Sequence, residues 1–135
     1  MKTLDLAGNE RVLVVGAGRG RAVRRLMRRL PWGYVAGIDA SAARIRFAKR
    51  RSRRWVRGGL LDLRVGNGAE LPWASARFDA CVVLDTTALD LAEVRRVMKA
   101  DGQLLITTAV PRALWRNGFG SVRSIADGYV LARAA

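Results

Sequence analysis

The stretch "RVLVVGAGRGRAVRRLMRRL" (residues 11–30) runs from an apolar segment through three spaced glycines into an arginine-rich segment. Its first five residues, "RVLVV", have the continuous apolar character of a strand buried in a parallel sheet. Residues 19–30 place apolar side chains on one stripe at about helical spacing, and five arginines fill the opposite face. The stripe consists of Ala22, Val23, Leu26, Met27 and Leu30. The stretch therefore predicts a strand, a glycine turn and an amphipathic helix that ends before Pro31 and Gly33.

The same alternation of strand and helix patterns continues along the chain. Further strands are predicted at 34–39, 60–65, 78–84 and 103–110, a hairpin at 119–125 and 129–134 around an Asp-Gly turn (126–128), and helices at 41–50 and 88–98. The first of these two helices has Ser41 as its cap and faces Ala42, Ile45 and Ala48 inward. A basic connector (51–59), a loop (66–77) and a turn (100–102) complete the prediction. The pattern predicts one domain, 1–135, with a parallel sheet between helices, and a ligand at the carboxyl ends of the first and fourth strands.

Composition excludes several classes of protein. The chain has one cysteine, Cys81, and no histidine, so a disulfide framework, a cysteine–histidine catalytic pair and a zinc site are not expected. No apolar run approaches the roughly 18–20 residues needed to cross a bilayer, and "MKTLDLAGNE" lacks the apolar core of a signal peptide. We therefore expect a cytoplasmic protein with no membrane association and no metal.

The net charge of +14 is concentrated in one part of the chain. Residues 1–57 carry 16 lysines and arginines against three acids, whereas residues 58–135 carry nine against eight. Right-handed crossovers place the first two helices on one side of the sheet, so their arginines should coat one face. This face comprises Arg24, Arg25, Arg28, Arg29, Arg44, Arg46, Arg50, Arg51, Arg53 and Arg54. Three interpretations stay open: a nucleic-acid surface with Trp32 or Trp55 available for stacking, an interface for an acidic partner, or a solvated face from a GC-rich coding sequence.

The spacing of the glycines distinguishes between ligands. Gly16, Gly18 and Gly20 let an anionic ligand approach the backbone at a helix N-terminus. A dinucleotide fingerprint requires G-x-G-x-x-G, but Arg21 stands where its third glycine would be. Asp39, at the end of the second strand, could accept both hydroxyls of an adenosine ribose. The alternatives are a tight turn without a ligand and a surface or helix-capping aspartate.

Five segments in order resemble a class I S-adenosylmethionine-dependent methyltransferase. They are "VLVVGAGRG", "GIDASAARIRFAKRR", "VGNGAELPWASARFDACVV", "EVRRVMKADGQLLIT" and "NGFGSVRSIADGYVLARA". The resemblance implies a Rossmann-like α/β three-layer sandwich with seven strands in the order 3-2-1-4-5-7-6, strand 7 antiparallel. It also implies S-adenosyl-L-methionine as the cofactor, bound by Gly16, Ala17, Gly18, Gly20, Asp39, Ala40, Asn67, Gly68, Ala69 and Leu84.

The chain also departs from the family pattern. Val14 replaces an acidic residue that helps to hold the methionine amino group, and Asn67 replaces an aspartate that accepts a hydrogen bond from adenine. The region between Val83 and Val97 is shorter than in family members, and ten residues before Arg11 cannot supply the usual lid helix. A homodimer or an acidic partner is therefore expected to cover the cofactor mouth. Asp85 is the carboxylate expected near the transferred methyl, and its alternative role is to cap a helix.

These observations support three hypotheses about function. The first is a methyltransferase that works by holding a nucleophile close to the activated methyl group, with RNA favoured slightly over a small molecule as acceptor. The second is a catalytically degenerate binding or scaffold protein whose basic face binds nucleic acid or an acidic partner. The third, a nicotinamide-dependent oxidoreductase, is disfavoured by Arg21 and by the absence of a plausible hydride-transfer residue.

Overall fold

A computed structural model describes residues 4–107, 111–125 and 128–135. The elements in chain order are β1 (Arg11–Val15), α1 (Arg21–Arg29), β2 (Tyr34–Asp39), α2 (Ala42–Arg51), α3 (Arg53–Arg57), β3 (Leu61–Val65), β4 (Phe78–Val83), α4 (Leu91–Val97), β5 (Met98–Thr107), α5 (Pro111–Arg116), β6 (Phe119–Ser124) and β7 (Tyr129–Ala134). They form a seven-stranded sheet in the order β3-β2-β1-β4-β5-β7-β6. Strand β7 is antiparallel to β5 and β6, and the pairs from β3 to β5 are parallel. The predicted fold class is confirmed.

The helices cover both faces of this sheet. Alternate residues of β1 point to opposite sides, so Val12 and Val14 pack with α1 and α2, whereas Leu13 and Val15 pack with α4 and α5. Helix α3 contributes Trp55 and Val56 to the same side as α1 and α2. The prediction that the arginine-rich helices share one face is confirmed.

The α2–α3 region differs from the prediction in two details. Ser41 does cap α2, its Oγ accepting the N–H of Arg44 at 3.2 Å. Ala42, however, is exposed, because the first turn of α2 lies beyond the edge of the apolar core that buries Ile45 and Ala48. The basic connector at 51–59 also contains a short helix, α3, which is held against the core by Trp55 and Val56. The sequence did not predict this helix, because its two apolar residues lie between arginines.

Further differences occur between β4 and β5. Helix α4 begins only at Leu91, because Asp90 caps it by accepting the N–H of Ala92 at 2.9 Å. Strand β5 begins at Met98, and the predicted turn at 100–102 is a bulge inside it, with Asp101 at φ +66°. The β6–β7 hairpin is confirmed, but residues 126 and 127 of its predicted turn, like 108–110 of the predicted fifth strand, lie outside the described residues.

In the described part of the chain, no helix is both long enough and apolar enough to cross a membrane.

Candidate cofactor site

A pocket of about 130 Å³ lies at the carboxyl ends of β1, β2 and β4. The predicted site residues that line it are Gly16, Asp39, Ala40, Asn67, Gly68 and Asp85. A groove of about 410 Å³ is lined by Ala17 and Leu84, the chain neighbours of Gly16 and Asp85. The glycine turn and the segment after β4 thus each contribute a residue to the pocket and the adjacent residue to the groove.

The three glycines of the turn between β1 and α1 are required for different reasons. All three have positive φ, which is +86° at Gly16, +54° at Gly18 and +86° at Gly20. A Cβ on Gly16 would lie 2.7 Å from the backbone nitrogen of Asp85, and one on Gly20 would lie 2.9 Å from the Cβ of Ala48. A Cβ on Gly18 would have no heavy atom within 4 Å. Gly16 and Gly20 therefore permit close packing, whereas a side chain at Gly18 would meet open space; Gly18 and Gly20 line neither the pocket nor the groove.

The buried carboxylate of Asp39 joins this turn to the start of α2. Its Oδ1 accepts the N–H of Gly18 at 3.0 Å, and its Oδ2 accepts the N–H of Ser41 at 3.0 Å. Arg44 adds an ion pair, with its Nε 3.2 Å from the same Oδ2. The carboxylate is thus fixed at the wall of the pocket, where its remaining acceptor capacity suits hydroxyl groups. Sequence reasoning had placed Arg44 on the basic face and missed its contact with Asp39.

The loop after β3 forms another wall of the pocket. Asn67 stabilises a local turn, its Oδ1 accepting the N–H of Ala69 at 2.9 Å. Gly68 is buried, and a Cβ there would lie 2.7 Å from Cδ1 of Leu89. Ala69 is exposed and does not line the pocket. Gly66, Thr87 and Ala88 do line it but were not predicted, since small residues in loops carry no distinctive pattern.

Asp85 projects from the segment after β4. Its Oδ1 accepts the N–H of Thr87 at 2.9 Å. This hydrogen bond holds the pKa of the Asp85 carboxyl below its usual range, with smaller contributions from the Thr87 hydroxyl and Arg44. Asp85 does not cap α4, because Asp90 does so. An ionised carboxylate with a lowered pKa is a weak general base but a good partner for a cation.

Val14 lies in the core rather than at the site. It is fully buried, pairs in register with Gly37 of β2 and Val82 of β4, and packs in the cluster that contains Ala17 and Val23. It lines neither the pocket nor the adjoining groove. The acidic groups at the pocket are therefore Asp39 and Asp85.

A wider depression of about 590 Å³ lies at the opposite end of the strands, near Arg11 and Asp79. Its Asp79 carboxylate is already paired, because it accepts the N–H of Arg11 at 2.9 Å and lies 3.2 Å from Nζ of Lys99. Ligands of parallel sheets bind at the carboxyl ends of the strands, and this depression lies at the amino ends. It is not the candidate site despite its size.

The predicted basic face lies on α1, α2 and α3. Arg25, Arg28, Arg50, Arg51, Arg53 and Arg54 are exposed, whereas Arg24 and Arg29 are half-buried. Trp32, in the loop before β2, is 79% exposed, but Trp55 packs against the core and is less available for stacking.

Comparison with known proteins identifies the family. The model of the methyltransferase domain matches residues 12–102, a range that includes both walls of the pocket. This chain belongs to the methyltransferase-domain family. The resemblance drawn from the five segments is confirmed, and family membership supports S-adenosyl-L-methionine as the cofactor.

Individual relatives cover much of the chain. It is 32% identical over 114 residues to a fatty-acid O-methyltransferase of Mycolicibacterium smegmatis, with 80% of this chain and 40% of that protein aligned. It is 31% identical over 108 residues to a demethylmenaquinone methyltransferase of Thermotoga maritima, with 76% and 44% aligned. The chain therefore spans less than half the length of either relative.

Solved structures share the fold. The [4+2]-cyclase SpnF aligns with a TM-score of 0.74 at 20% identity, over 88% of this chain and 54% of that one. The geranyl diphosphate C-methyltransferase of Streptomyces coelicolor, solved with S-adenosyl-L-homocysteine, aligns with a TM-score of 0.74 at 19% identity, over 94% and 72%. These likenesses establish a common architecture.

Proposed function

We propose that this methyltransferase domain binds S-adenosyl-L-methionine in the pocket and transfers its methyl group to a nucleophilic acceptor. The observation that carries the proposal is the contact between Gly18 and Asp39. The Gly18 N–H fixes the carboxylate at 3.0 Å while the Cα of Gly18 borders open space. A backbone N–H of the glycine turn therefore fixes an acceptor for hydroxyl groups at the wall of the pocket.

The residues of the pocket fit the parts of this cofactor. Asp39 would accept hydrogen bonds from the ribose hydroxyls, and the side-chain oxygen of Asn67 would accept one from the adenine amino group. Asp85, ionised at neutral pH, would bind the ammonium group in place of the acid missing at Val14. The cofactor supplies an activated methyl on a sulfonium. The contribution of the protein is then to align the acceptor, in the groove beside Ala17 and Leu84, with that methyl.

The acceptor class is part of the proposal. The sequence favours RNA slightly, on the strength of the basic face, whereas the names of the two relatives above specify a fatty acid and a demethylmenaquinone. Incubation with S-adenosyl-L-methionine labelled in its methyl group, against total RNA and against a lipid extract, tests this choice. Label in the RNA fraction supports the RNA acceptor, and label in the lipid fraction alone replaces it with a small acidic or quinone acceptor. Absence of label from both fractions opposes catalysis by the chain alone.

A second candidate function is binding without catalysis. Two observations favour it: Val14 removes the acidic residue of the family motif, and Arg44 already occupies part of the Asp39 carboxylate. Calorimetric titration with S-adenosyl-L-homocysteine separates the two functions, because a scaffold that has lost the cofactor would give no binding heat at millimolar ligand. The expected homodimer or acidic partner at the cofactor mouth stays a prediction.

A further inference from the structure

Two arginines contact the ring of Phe47 where α1 meets α2, and two more positive charges lie nearby on α1. The guanidinium of Arg19, in the glycine turn, lies 5.6 Å from the centroid of this ring, and that of Arg51, at the end of α2, lies 5.8 Å from it. Cations over an aromatic face are held by the ring quadrupole. Phe47 thus holds two guanidinium groups from different segments beside one another.

Arg24 and Arg28 of α1 add two more positive charges. The Nη1 of Arg24 donates to the carbonyl oxygen of Arg19 at 2.9 Å, which fixes its guanidinium toward the seam between the helices. Partial burial lowers the pKa of Arg24, and the charges of Arg51 and Arg28 lower it further. The charge of Arg24 is therefore close enough to those of Arg51 and Arg28 to be repelled by each of them.

Within the described ranges, no carboxylate forms an ion pair with this cluster. In the described residues the ion pairs involve Arg44, Arg64, Arg96 and Lys99, and none involves an arginine of the seam. The sequence from 21 to 57 contains a single acid, Asp39, and Arg44 pairs with it. A cluster of like charges destabilises the folded chain unless an anion lies between them.

The positive surface extends from the seam to the junction of α2 and α3, farther than a single small anion would reach. Arg50, Arg53 and Arg54 line a depression of about 350 Å³ at the junction of α2 and α3. Ser52, in the same lining, is 2% exposed, and its Oγ has no hydrogen-bond partner. The exposed large apolar residues in the described chain are Trp32, Leu60, Val65 and Trp115, so none lies on α1, α2 or α3. A protein partner would call for an apolar interface core, whereas a phosphate backbone does not.

We infer that the seam between α1 and α2 binds the phosphate backbone of RNA, the acceptor class that the sequence favours. The guanidinium groups of Arg24 and Arg51 contact neighbouring phosphates, and Arg50, Arg53 and Arg54 continue the path toward α3. Phe47 is covered by two guanidinium groups, so the seam binds the backbone rather than stacking bases. Arg19 belongs to the cofactor turn, so the RNA path begins beside the pocket. RNA binding itself is independent of the proposed function; only the delivery of the strand to the methyl donor rests on it.

The test is the fluorescence anisotropy of a labelled oligouridylate of about 12 nucleotides, measured as a function of salt. The seam variant is Arg24→Gln/Arg51→Gln. The control variant is Arg112→Gln/Arg116→Gln, which removes the same charge from α5 on the opposite face. Two lost phosphate contacts should reduce the slope of log affinity against log salt by about 1.4 and weaken binding at low salt at least about tenfold. The control should stay within about twofold of the parent chain, because its arginines contact no phosphate.

Several outcomes would overturn the inference. If both variants weakened RNA binding equally, the binding would depend on net charge and not on the seam. If the parent chain did not bind the oligouridylate at low salt, the seam would not be an RNA site. Tighter binding of a polyglutamate peptide than of the oligouridylate would assign the seam to an acidic protein.

Two controls keep the result interpretable. The seam variant removes repulsion but also the hydrogen bond from Arg24 to the Arg19 carbonyl and the contact of Arg51 with Phe47, so circular dichroism first confirms that it is folded. Titration of the parent chain with S-adenosyl-L-homocysteine tests the proposed function separately. If the chain bound RNA but not the cofactor, the inference about the seam would stand and only the proposed function would be contradicted.

Discussion

The Nε of Arg44 lies 3.2 Å from Oδ2 of Asp39, the carboxylate that the family resemblance assigns to the ribose of the cofactor. The Arg44 side chain is 53% exposed, whereas that of Asp39 is 5% exposed. An exposed arginine therefore neutralises a buried acid at the wall of the pocket. The ribose and Arg44 would draw on the same acceptor atoms.

Removal of Arg44 should strengthen cofactor binding. The variant Arg44→Gln frees Oδ2 of Asp39 for the ribose hydroxyls. Because a pair with one exposed partner contributes about 1 kcal/mol, affinity for S-adenosyl-L-homocysteine should rise by up to about fivefold. Isothermal titration calorimetry measures the change. Arg46→Gln, an equal loss of charge two residues along α2, is the matched control and should leave the affinity unchanged. Weaker binding by Arg44→Gln would show that Arg44 supports the site instead.

Alanine substitutions at two glycines of the turn should have unequal costs. Gly16→Ala places a Cβ 2.7 Å from the backbone of Asp85 at φ +86°, so it should lower the free energy of unfolding by about 2–4 kcal/mol. Gly18→Ala meets open space at φ +54° and should cost about 1–2 kcal/mol, from backbone strain alone. Urea unfolding measures both. Equal costs, or a larger cost at Gly18, would contradict the close approach of the two segments.

The stability of the chain should fall in acid partly through Glu93. A hydrogen bond from Arg96 is the main cause that lowers the pKa of Glu93, and the N–H of Leu71 also donates to its carboxylate. The folded-state pKa of Glu93 thus lies below the ordinary value of 4.5. The stabilisation that ionised Glu93 gives the folded chain is therefore complete above that value, and it is lost as pH falls through the folded-state pKa. In Glu93→Gln, unfolding free energy should depend less steeply on pH in this range. An unchanged pH dependence would contradict the assignment.

Cys81 should be inert in the folded protein. Its side chain is fully buried in β4, and burial raises the pKa of the thiol far above neutrality. Ellman's reagent should therefore label it only when the chain unfolds. A labelling rate in native buffer close to that of free cysteine would contradict the buried position.

The parts of the fold that followed from sequence are those encoded by local patterns. The apolar run at 11–15 and the glycines at 16, 18 and 20 specify a strand and a turn through the conformations available to their own residues. Ser41 likewise marks its helix start with its own side chain. The parallel strand order followed from the resemblance to the family rather than from any single segment.

The features that sequence reasoning missed depend on contacts between segments. The β5 bulge at 98–102 arises because Phe78 pairs with Met98 while Ala80 pairs with Gln103, a register that neither segment displays alone. Arg44 looked like one more surface arginine, because only the folded chain places it beside Asp39. Helix α3 was hidden since the apolar pair that packs on the core lies between arginines.

The measurement that tests the central claim most directly is calorimetric titration of S-adenosyl-L-homocysteine into the parent chain and into Asp39→Asn. We predict one binding site in the parent chain. Asp39→Asn should bind about 10-fold to 150-fold more weakly, because hydrogen bonds to a charged group contribute about 1.5–3 kcal/mol. Circular dichroism confirms that the variant is folded. Absence of binding heat at millimolar ligand in the parent chain, or equal affinity in the folded variant, would contradict a cofactor site built on Gly18 and Asp39.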